Sequence, residues 1–440
     1  MDRKGPLKVA LTALGCKVNQ TDAQSLAADL EAEGHRIVSF RQMADVYILY
    51  TCTVTQRSDY QSRQMIRRAL QKNPQGQVVV TGCYAQTQPE ALRVIPGIDS
   101  IVGVGQQGKI LDLLGRKERT AAARLIHSPI EEEILFRERS VPSWGHRHRA
   151  FLKIQDGCNS FCSYCIVPFS RGRNRSLPLD RILSKTEELR KRGFQEIVLT
   201  GIHLGTYGED LRPRRSLRDL LEALEAKHPK MRLRLSSIEP GELDPPLIDF
   251  LSRSQTVCPH LHIPLQSGDD GVLRAMNRSY SASFYEDLVH RLVRAIPGLA
   301  IGADVIGGFP GEDEGAFQNT VRLIERLPIA YLHVFPFSKR PGTQAAVHPG
   351  QVPSSMIKER CRILRELSWK KRRAFYSCHL GQTVKVFIEG KDREEGFLRG
   401  YSDNYIPVRI PRTDDHLLHQ ICDVQLTEVQ GDRVLGIPRR

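Results

Sequence analysis

The chain reads as an α/β multidomain protein, with an N-terminal parallel-sheet α/β domain, a central partial (β/α) barrel and a small C-terminal β-barrel. Three observations predict this. Short apolar runs alternate with helical patterns over residues 7–110, and do so again over 149–340, as parallel sheets with right-handed crossovers require. Past a basic helix at Met356–Phe375 the texture changes to short β patterns separated by Gly, Asp and Asn turns. The boundaries that follow are 6–117, a connector at 118–148, a core at 149–375 and a last domain at 376–440.

In the first segment Lys8–Leu14, Val46–Tyr50 and Gln77–Val80 read as buried strands, and Thr21–Glu33 as a helix ending at Gly34. Cys16, Cys52 and Cys83 fall just beyond such strands. In an open parallel sheet those strand ends share one edge, where ligands bind. Three cysteines far apart in sequence thus converge, and a three-cysteine metal site is the reading they favour. Unrelated packing thiols would show the same residues without the placement. Leu7–Gly15 before Cys16 loosely mimics a lipoprotein signal, but it is short and broken by Lys8 and Thr12, so a buried first strand is expected. Residues 118–148 hold Glu131-Glu132-Glu133 and the basic run Gly145-His146-Arg147-His148-Arg149, as an exposed linker would.

The second segment predicts strands at Ala150–Ile154, Glu196–Thr200, Leu233–Ser236, His260–Ile263, Ile301–Ile306 and Tyr331–Phe335. Helical patterns lie between them, including Asp180–Arg192, Leu217–Lys227 and Phe284–Ala295. The active site of such a barrel sits at the C-terminal ends of its strands. After the first strand comes Cys158-Asn159-Ser160-Phe161-Cys162-Ser163-Tyr164-Cys165, with C-x-x-x-C-x-x-C spacing. Three thiolates so close can hold three irons of a 4Fe–4S cluster and leave the fourth open, as catalytic metal sites do. Paired C-x-x-C zinc units and the ferredoxin run are the other readings, and neither spacing is present. Gly201, Gly205 and Gly307-Gly308 follow later strands, where glycine lets a backbone approach a ligand or simply turn. Glu239 follows the third strand. The third segment shows β patterns at Thr383–Ile388, Tyr405–Arg409 and Ile421–Leu426.

Composition narrows the classes. Hydrophobic content of 40% and charged content of 26% are those of a globular protein, and ten cysteines in 440 residues make no disulfide scaffold. No run of 18 apolar residues is present, so no transmembrane helix and no membrane role are expected. The net charge of +14 concentrates at residues 57–72 and 356–373. Such blocks are the footprint of a polyanion binder, although a solvated helix face gives the same count.

The domain order, with the C-x-x-x-C-x-x-C loop and Tyr164 before its last cysteine, resembles the radical S-adenosylmethionine (SAM) methylthiotransferases over nearly the full chain. Gly15-Cys16-Lys17-Val18-Asn19-Gln20 and Thr200-Gly201-Ile202-His203-Leu204-Gly205 resemble the branch acting on threonylcarbamoyladenosine in tRNA. Pro168 with Arg171–Ser176, His260–Gly268 and Asp304–Glu312 also fit the family, and the C-terminal barrel resembles the TRAM domain, an RNA-binding module. The departures are Gly307-Gly308, Asp313 in place of a frequent threonine, and Gln24 where an acidic residue is usual.

The resemblance implies that Cys158, Cys162 and Cys165 hold a radical-generating 4Fe–4S cluster whose open iron binds SAM. Cys16, Cys52 and Cys83 would hold a second, auxiliary 4Fe–4S cluster that carries or supplies sulfur. Tyr164, Gly201, Glu239, Gly307 and Gly308 would line the cofactor. Arg171, Arg173, Arg175 and the Met356–Phe375 helix would hold a tRNA anticodon stem-loop through phosphates. His203 would either meet the threonylcarbamoyl group or pack the barrel rim. A cytoplasmic monomer reduced by a flavodoxin or ferredoxin completes the expectation. The competing readings are a methylthiotransferase for isopentenyladenosine or a ribosomal protein, and a non-catalytic iron–sulfur RNA-binding protein. Cys258, Cys361, Cys378 and Cys422 have no matched spacing and no assigned role.

Overall fold

The computed structural model describes residues 5–115, 123–141, 149–412 and 416–439. Six parallel strands build the first sheet: β1 (Lys8–Ala13), β2 (Arg36–Val38), β3 (Val46–Thr51), β4 (Gln77–Gly82), β5 (Ser100–Val102) and β6 (Arg124–Ile126). Their order is β2-β1-β3-β4-β5-β6. The central β3 and β4 are buried along their whole length, as helix-covered parallel strands must be. Two expectations change here. The first helix runs Lys17–Ala32, so it starts four residues before Thr21, and Cys16 is its N-cap. The stretch read as a connector contributes β6, which pairs with β5 and is too short to show a period. The Gly145–His148 run lies outside the described residues.

The central domain carries β7 (Arg149–Lys153), a small pair β8 (Gln155–Asp156) and β9 (Arg175–Ser176), then β10 (Glu196–Thr200), β11 (Arg232–Leu235), β12 (His260–His262), β13 (Ala300–Gly307) and β14 (Tyr331–Pro336). The parallel ladders β7-β10-β11 and β12-β13-β14 are joined by single bridges Leu233↔Val257 and Ser237↔His262. This is the partial barrel, open between β7 and β14. Alternation sorts its side chains. Ile197, Leu199, Leu233, Leu235, Ile301, Ala303 and Val305 face the helices in one large core. Glu196, Arg232, Arg234, Asp304 and His333 therefore face the lumen. The helices start on caps supplied by the sequence, including a Ser216–Asp219 capping box. Asp313 accepts from the Ala316 N–H, so this departure from the family pattern still caps its helix.

The last strands, β15 (Thr383–Lys391), β16 (Phe397–Ser402), β17 (Pro407–Pro411), β18 (Ile421–Gln430) and β19 (Arg433–Pro438), close a barrel in the order β15-β16-β17-β19-β18. It seats on the N-terminal ends of the central strands. Arg234 donates to the carbonyls of Asp403 (2.9 Å) and Ser402 (3.2 Å), and its guanidinium lies 4.7 Å from the Tyr405 ring centroid. Behind it the buried Glu196 carboxylate meets Arg149 (2.7 Å), Arg234 (3.0 Å) and Arg232 (3.2 Å).

Burial alone would raise the Glu196 pKa, but the three arginines win and hold it at about 2, against an ordinary value of 4.5. A depressed carboxylate contributes stability that is present above its unfolded pKa and is lost as pH falls through the folded one. Stability is therefore expected to drop by about 3 kcal/mol between pH 4.5 and 2 through this one group. Denaturant midpoints measured across that window check it. Glu196→Gln should flatten the dependence while lowering stability at pH 7.

The N-terminal domain docks through buried charge. Arg171, 1% exposed, donates to Asp22 (2.8 Å), Asp156 (3.1 Å) and Asn19 (2.5 Å), and Lys153 bridges Asp22 (2.5 Å) and Asp156 (2.9 Å). A second latch joins Arg340 to Asp59 (2.7 Å) and to the Thr53 carbonyl (3.0 Å).

Candidate active site

Two groups of three thiols occupy the C-terminal ends of their sheets. In the central domain Gly157 has φ +77, and a Cβ there would lie 1.9 Å from the Arg173 carbonyl oxygen, so only glycine lets the chain turn into the Cys158–Cys165 loop. The loop is pinned by Cys158 N–H to the Gly172 carbonyl (3.0 Å), Ser163 N–H to the Met276 carbonyl (3.0 Å) and the Ser163 hydroxyl to the Ala275 carbonyl (2.7 Å). Its cysteines share one short loop, and Cys162 and Cys158 both help to raise the Cys165 thiol.

Each of the first two cysteines has a cationic partner backed by a carboxylate. The Cys158 sulfur lies 3.4 Å from His203 Nδ1, and His203 Nε2 pairs with Glu242. Arg278 donates to the Cys162 sulfur at 3.3 Å and pairs with Glu239. Glu239 and Glu242 are the two ends of one capped turn. Burial opposes ionisation of Cys158, but the His203 hydrogen bond and charge outweigh it and lower its pKa. Burial would also lower His203, yet its hydrogen bonds to Cys158 and Glu242 push it up to about 10. Burial and the neighbouring Cys162 push the Cys165 thiol up to about 12, with Arg278 opposing only weakly. Burial raises the Glu239 carboxyl, with Arg278 pulling against it. The Tyr164 ring meets Phe309 edge-on at 6.4 Å.

In the first sheet Cys16, Cys52 and Cys83 follow the adjacent strands β1, β3 and β4. A Cβ on Gly15, where φ is +87, would lie 2.5 Å from the Cys52 sulfur. Burial, then Cys83 and more weakly Cys16, push Cys52 up to about 11. Cys16 is raised by burial and Cys83, with Arg171 opposing. The two triads sit on neighbouring elements, since the helix Cys83–Thr87 packs on the helix Val167–Arg171 that follows Cys165. Both sets have the donor chemistry of an iron–sulfur cluster with one iron left free.

The remaining expected residues divide. Arg171 and Arg175 cannot serve as phosphate contacts. Arg171 is sealed among Asp22, Asp156 and Asn19, and buried Arg175 donates to the carbonyls of Glu133 (2.7 Å) and Arg171 (2.7 Å). Arg173 between them is exposed. Gly201 is approached by Gln155, Gly307 by Cys361 and Gly308 by Ile357, so close packing of neighbouring side chains is what demands glycine at these positions. On the Ser354–Ser377 helix Arg360 is buried against Glu312 (2.8 Å), while Lys358, Arg365, Lys370 and Arg373 are exposed. Sequence reasoning missed Arg278, Glu242, Asp22 and Asp156. Asn19 and Asp22, three apart on a helix, were a readable polar face pointing inward.

Lumen histidines form a further cluster. His262 Nε2 lies 2.8 Å from Asp304 Oδ1 and His333 Nδ1 lies 3.4 Å from the same oxygen.

Residues 8–103 match the family described as "Uncharacterized protein family UPF0004", and residues 152–324 match the Radical SAM superfamily. The chain is 40% identical to the threonylcarbamoyladenosine tRNA methylthiotransferase MtaB of Bacillus subtilis, over 95% of this chain and 93% of that one. It is 38% identical to the protein of the same name from Aquifex aeolicus, over 92% and 96%. The tRNA-2-methylthio-N(6)-dimethylallyladenosine synthase of Moorella thermoacetica is 33% identical over 94% and 95%. Among solved structures, the radical SAM methyltransferase TsrM of Kitasatospora setae shares the fold, with a TM-score of 0.57, 17% identity and coverage of 78% of this chain and 77% of that one. With a radical SAM core, the matching N-terminal domain and full-length relatives of one name, the chain belongs to the radical SAM methylthiotransferases, in the MtaB branch.

Proposed function

We propose that this protein methylthiolates carbon 2 of threonylcarbamoyladenosine beside the anticodon of tRNA, using SAM both as methyl donor and as radical source. What supports the reading is a pair of three-thiol sites on neighbouring packed elements, with Arg171 beside Cys16 and Cys83, in a chain whose nearly full-length relatives bear that name. When bound, a 4Fe–4S cluster at each site would supply the electron for SAM cleavage and the sulfur to be transferred. The chain's own part is positioning. Cys158, Cys162 and Cys165 would hold the cleaving cluster, with His203 and Arg278 bringing positive charge to two of the three sulfurs. Cys16, Cys52 and Cys83 would hold the auxiliary cluster. Tyr164, Gly201, Glu239, Gly307 and Gly308, near the strand ends, would line the SAM site.

The rim suits a splayed RNA base. Phe161 and Phe169 are both exposed beside the Cys162 loop, with ring centroids 6.0 Å apart, and aromatic faces stack unpaired bases. Arg173 and the exposed basic residues of the Ser354–Ser377 helix supply phosphate contacts. No helix among the described residues is long and apolar enough to cross a membrane. We take the protein to work as a cytoplasmic monomer, reduced by a flavodoxin or ferredoxin.

Nucleoside mass spectrometry of bulk tRNA from cells with and without the gene tests the substrate. Deletion should remove the 2-methylthio form of threonylcarbamoyladenosine and leave its unthiolated precursor to accumulate. Loss of only the isopentenyl-type product would transfer the reading to the sister branch.

A further inference from the structure

Away from the thiols, one set of lumen side chains has the make-up of a metal centre. His262, Asp304 and His333 come one each from the adjacent parallel strands β12, β13 and β14, and Asp304 and His333 are register partners. His262 Nε2 lies 2.8 Å and His333 Nδ1 3.4 Å from the same Asp304 oxygen, and the three ligand atoms fall within 4.8 Å of one another. Bonds of about 2.0–2.1 Å from one ion put neighbouring ligand atoms roughly 3.3 Å apart, close to the two shorter separations. His333 is exposed on an edge strand, where its ring can turn to close the third. Among the described residues Asp304 pairs with no lysine or arginine, and its ion-pair partners are the two imidazoles. Their rings stack at 4.8 Å with an interplanar angle of 29°, and two imidazolium ions so placed would repel each other. At least one ring is better kept neutral, with a lone pair to offer, as a metal ligand must be. The basic groups nearby are engaged elsewhere. Arg149, Arg232 and Arg234 surround Glu196 nearer the strand N-termini, and Arg372 lies over the Tyr331 ring at 5.5 Å. Tyr331 fills the layer below, where a Cβ on Gly302 would lie 2.4 Å from its ring, and its hydroxyl is paired with His260 Nε2 at 2.8 Å. Tyr331 and His333 also line a cavity of about 430 Å³, which leaves room for a further ligand.

We propose that His262, Asp304 and His333 form a mononuclear site for a divalent transition-metal ion of the zinc type, with an open position facing the cavity. Two imidazole nitrogens and one carboxylate oxygen suit such an ion, whereas calcium and magnesium take oxygen ligands. Sites with three protein ligands and one open position bind water or a reacting group, and sites that only brace a fold are closed by four. Arg372 and Arg399 line the same cavity, so the group that reaches the ion from that side is water or an anion. The strands that carry the three side chains hold them in place without the clusters, so the site is separate from the six thiols.

The test uses the full-length protein reconstituted with iron and sulfide, so that its thiols are occupied, and Zn²⁺ as the probe. Equilibrium dialysis with elemental analysis counts zinc against iron, and zinc-edge X-ray absorption identifies the ligands. The wild type should bind one Zn²⁺ per chain without losing iron, with nitrogen and oxygen at about 2.0–2.1 Å and no sulfur at about 2.3 Å. His333→Ala, at an exposed position, should weaken binding roughly 100-fold or more, because losing even an outer partner of a ligand costs about 10- to 100-fold. Asp304→Asn should do likewise, its iron content reporting that the fold is kept, and His333→Ala decides if it is not. Sulfur in the zinc shell, zinc gained only as iron is lost, or equal binding by the wild type and His333→Ala would each overturn the site. So would a wild type that retains no zinc at micromolar concentration, which would leave the three side chains a plain imidazole–carboxylate cluster.

Discussion

Cys158→Ala is expected to abolish reductive cleavage of SAM, with no 5′-deoxyadenosine formed above background, whereas Cys16→Ala should retain cleavage and lose sulfur insertion. The contrast follows from geometry. Cys158 is the thiol whose ionisation the protein favours, through His203 at 3.4 Å, and it is the first of the three that would hold the cleaving cluster. Cys16 belongs to the other sheet and senses Cys83 and Arg171, not the Cys158 loop. Iron content should fall by one cluster in each variant, and liquid chromatography of 5′-deoxyadenosine with mass spectrometry of the RNA reads out the two activities separately. Loss of cleavage in Cys16→Ala would show that the sites do not divide the work in this way.

Arg171→Met should cost about 3–5 kcal/mol of stability, because it removes from the buried Asp22 and Asp156 one of the two cations that pair with them directly, Lys153 being the other. Burial by itself would raise both carboxyls, yet Lys153 and Arg171 hold them below the usual range, so both are charged at neutral pH and both need a counter-charge. Urea denaturation followed by circular dichroism measures the loss. Asp22→Asn in the Arg171→Met background should recover part of it, since residues sharing one network are not additive. A loss below about 1 kcal/mol would mean that water reaches these groups when the arginine is gone.

The sequence made the scaffold legible where a period was long enough to read. Glu196–Thr200 and Leu217–Lys227 fall where the pattern puts them, and β3 and β4 are as buried as their Val, Ile and Leu content requires. Short or glycine-broken strands escaped. Phe397–Ser402 and Arg433–Pro438 contain Gly400 and Gly436, which look like turn residues. In the closed barrel a Cβ at Gly400 would sit 2.2 Å from the Phe387 carbonyl oxygen, so here glycine marks close strand packing. The six cysteines could be grouped from spacing and strand ends, because such sites gather on one sheet edge. Arg171 and Arg175 could not be read correctly. In sequence they form a basic run, and Asp22, one of the two acids that neutralise Arg171, lies 149 residues away.

The seat of the C-terminal barrel bears on how such a chain can be divided or recombined. Its Ser402–Asp403 carbonyls and the Tyr405 ring close the floor beneath Arg234, and its Glu389 neutralises part of Arg149. The module is therefore no detachable handle for RNA. Cutting the chain after the Ser354–Ser377 helix would open the lumen from below and leave Arg149 and Arg234 to share Glu196 without Glu389 or the Ser402 and Asp403 carbonyls. A transplanted homologue would succeed only if it brought the same turn beneath Arg234 and the same acid beside Arg149.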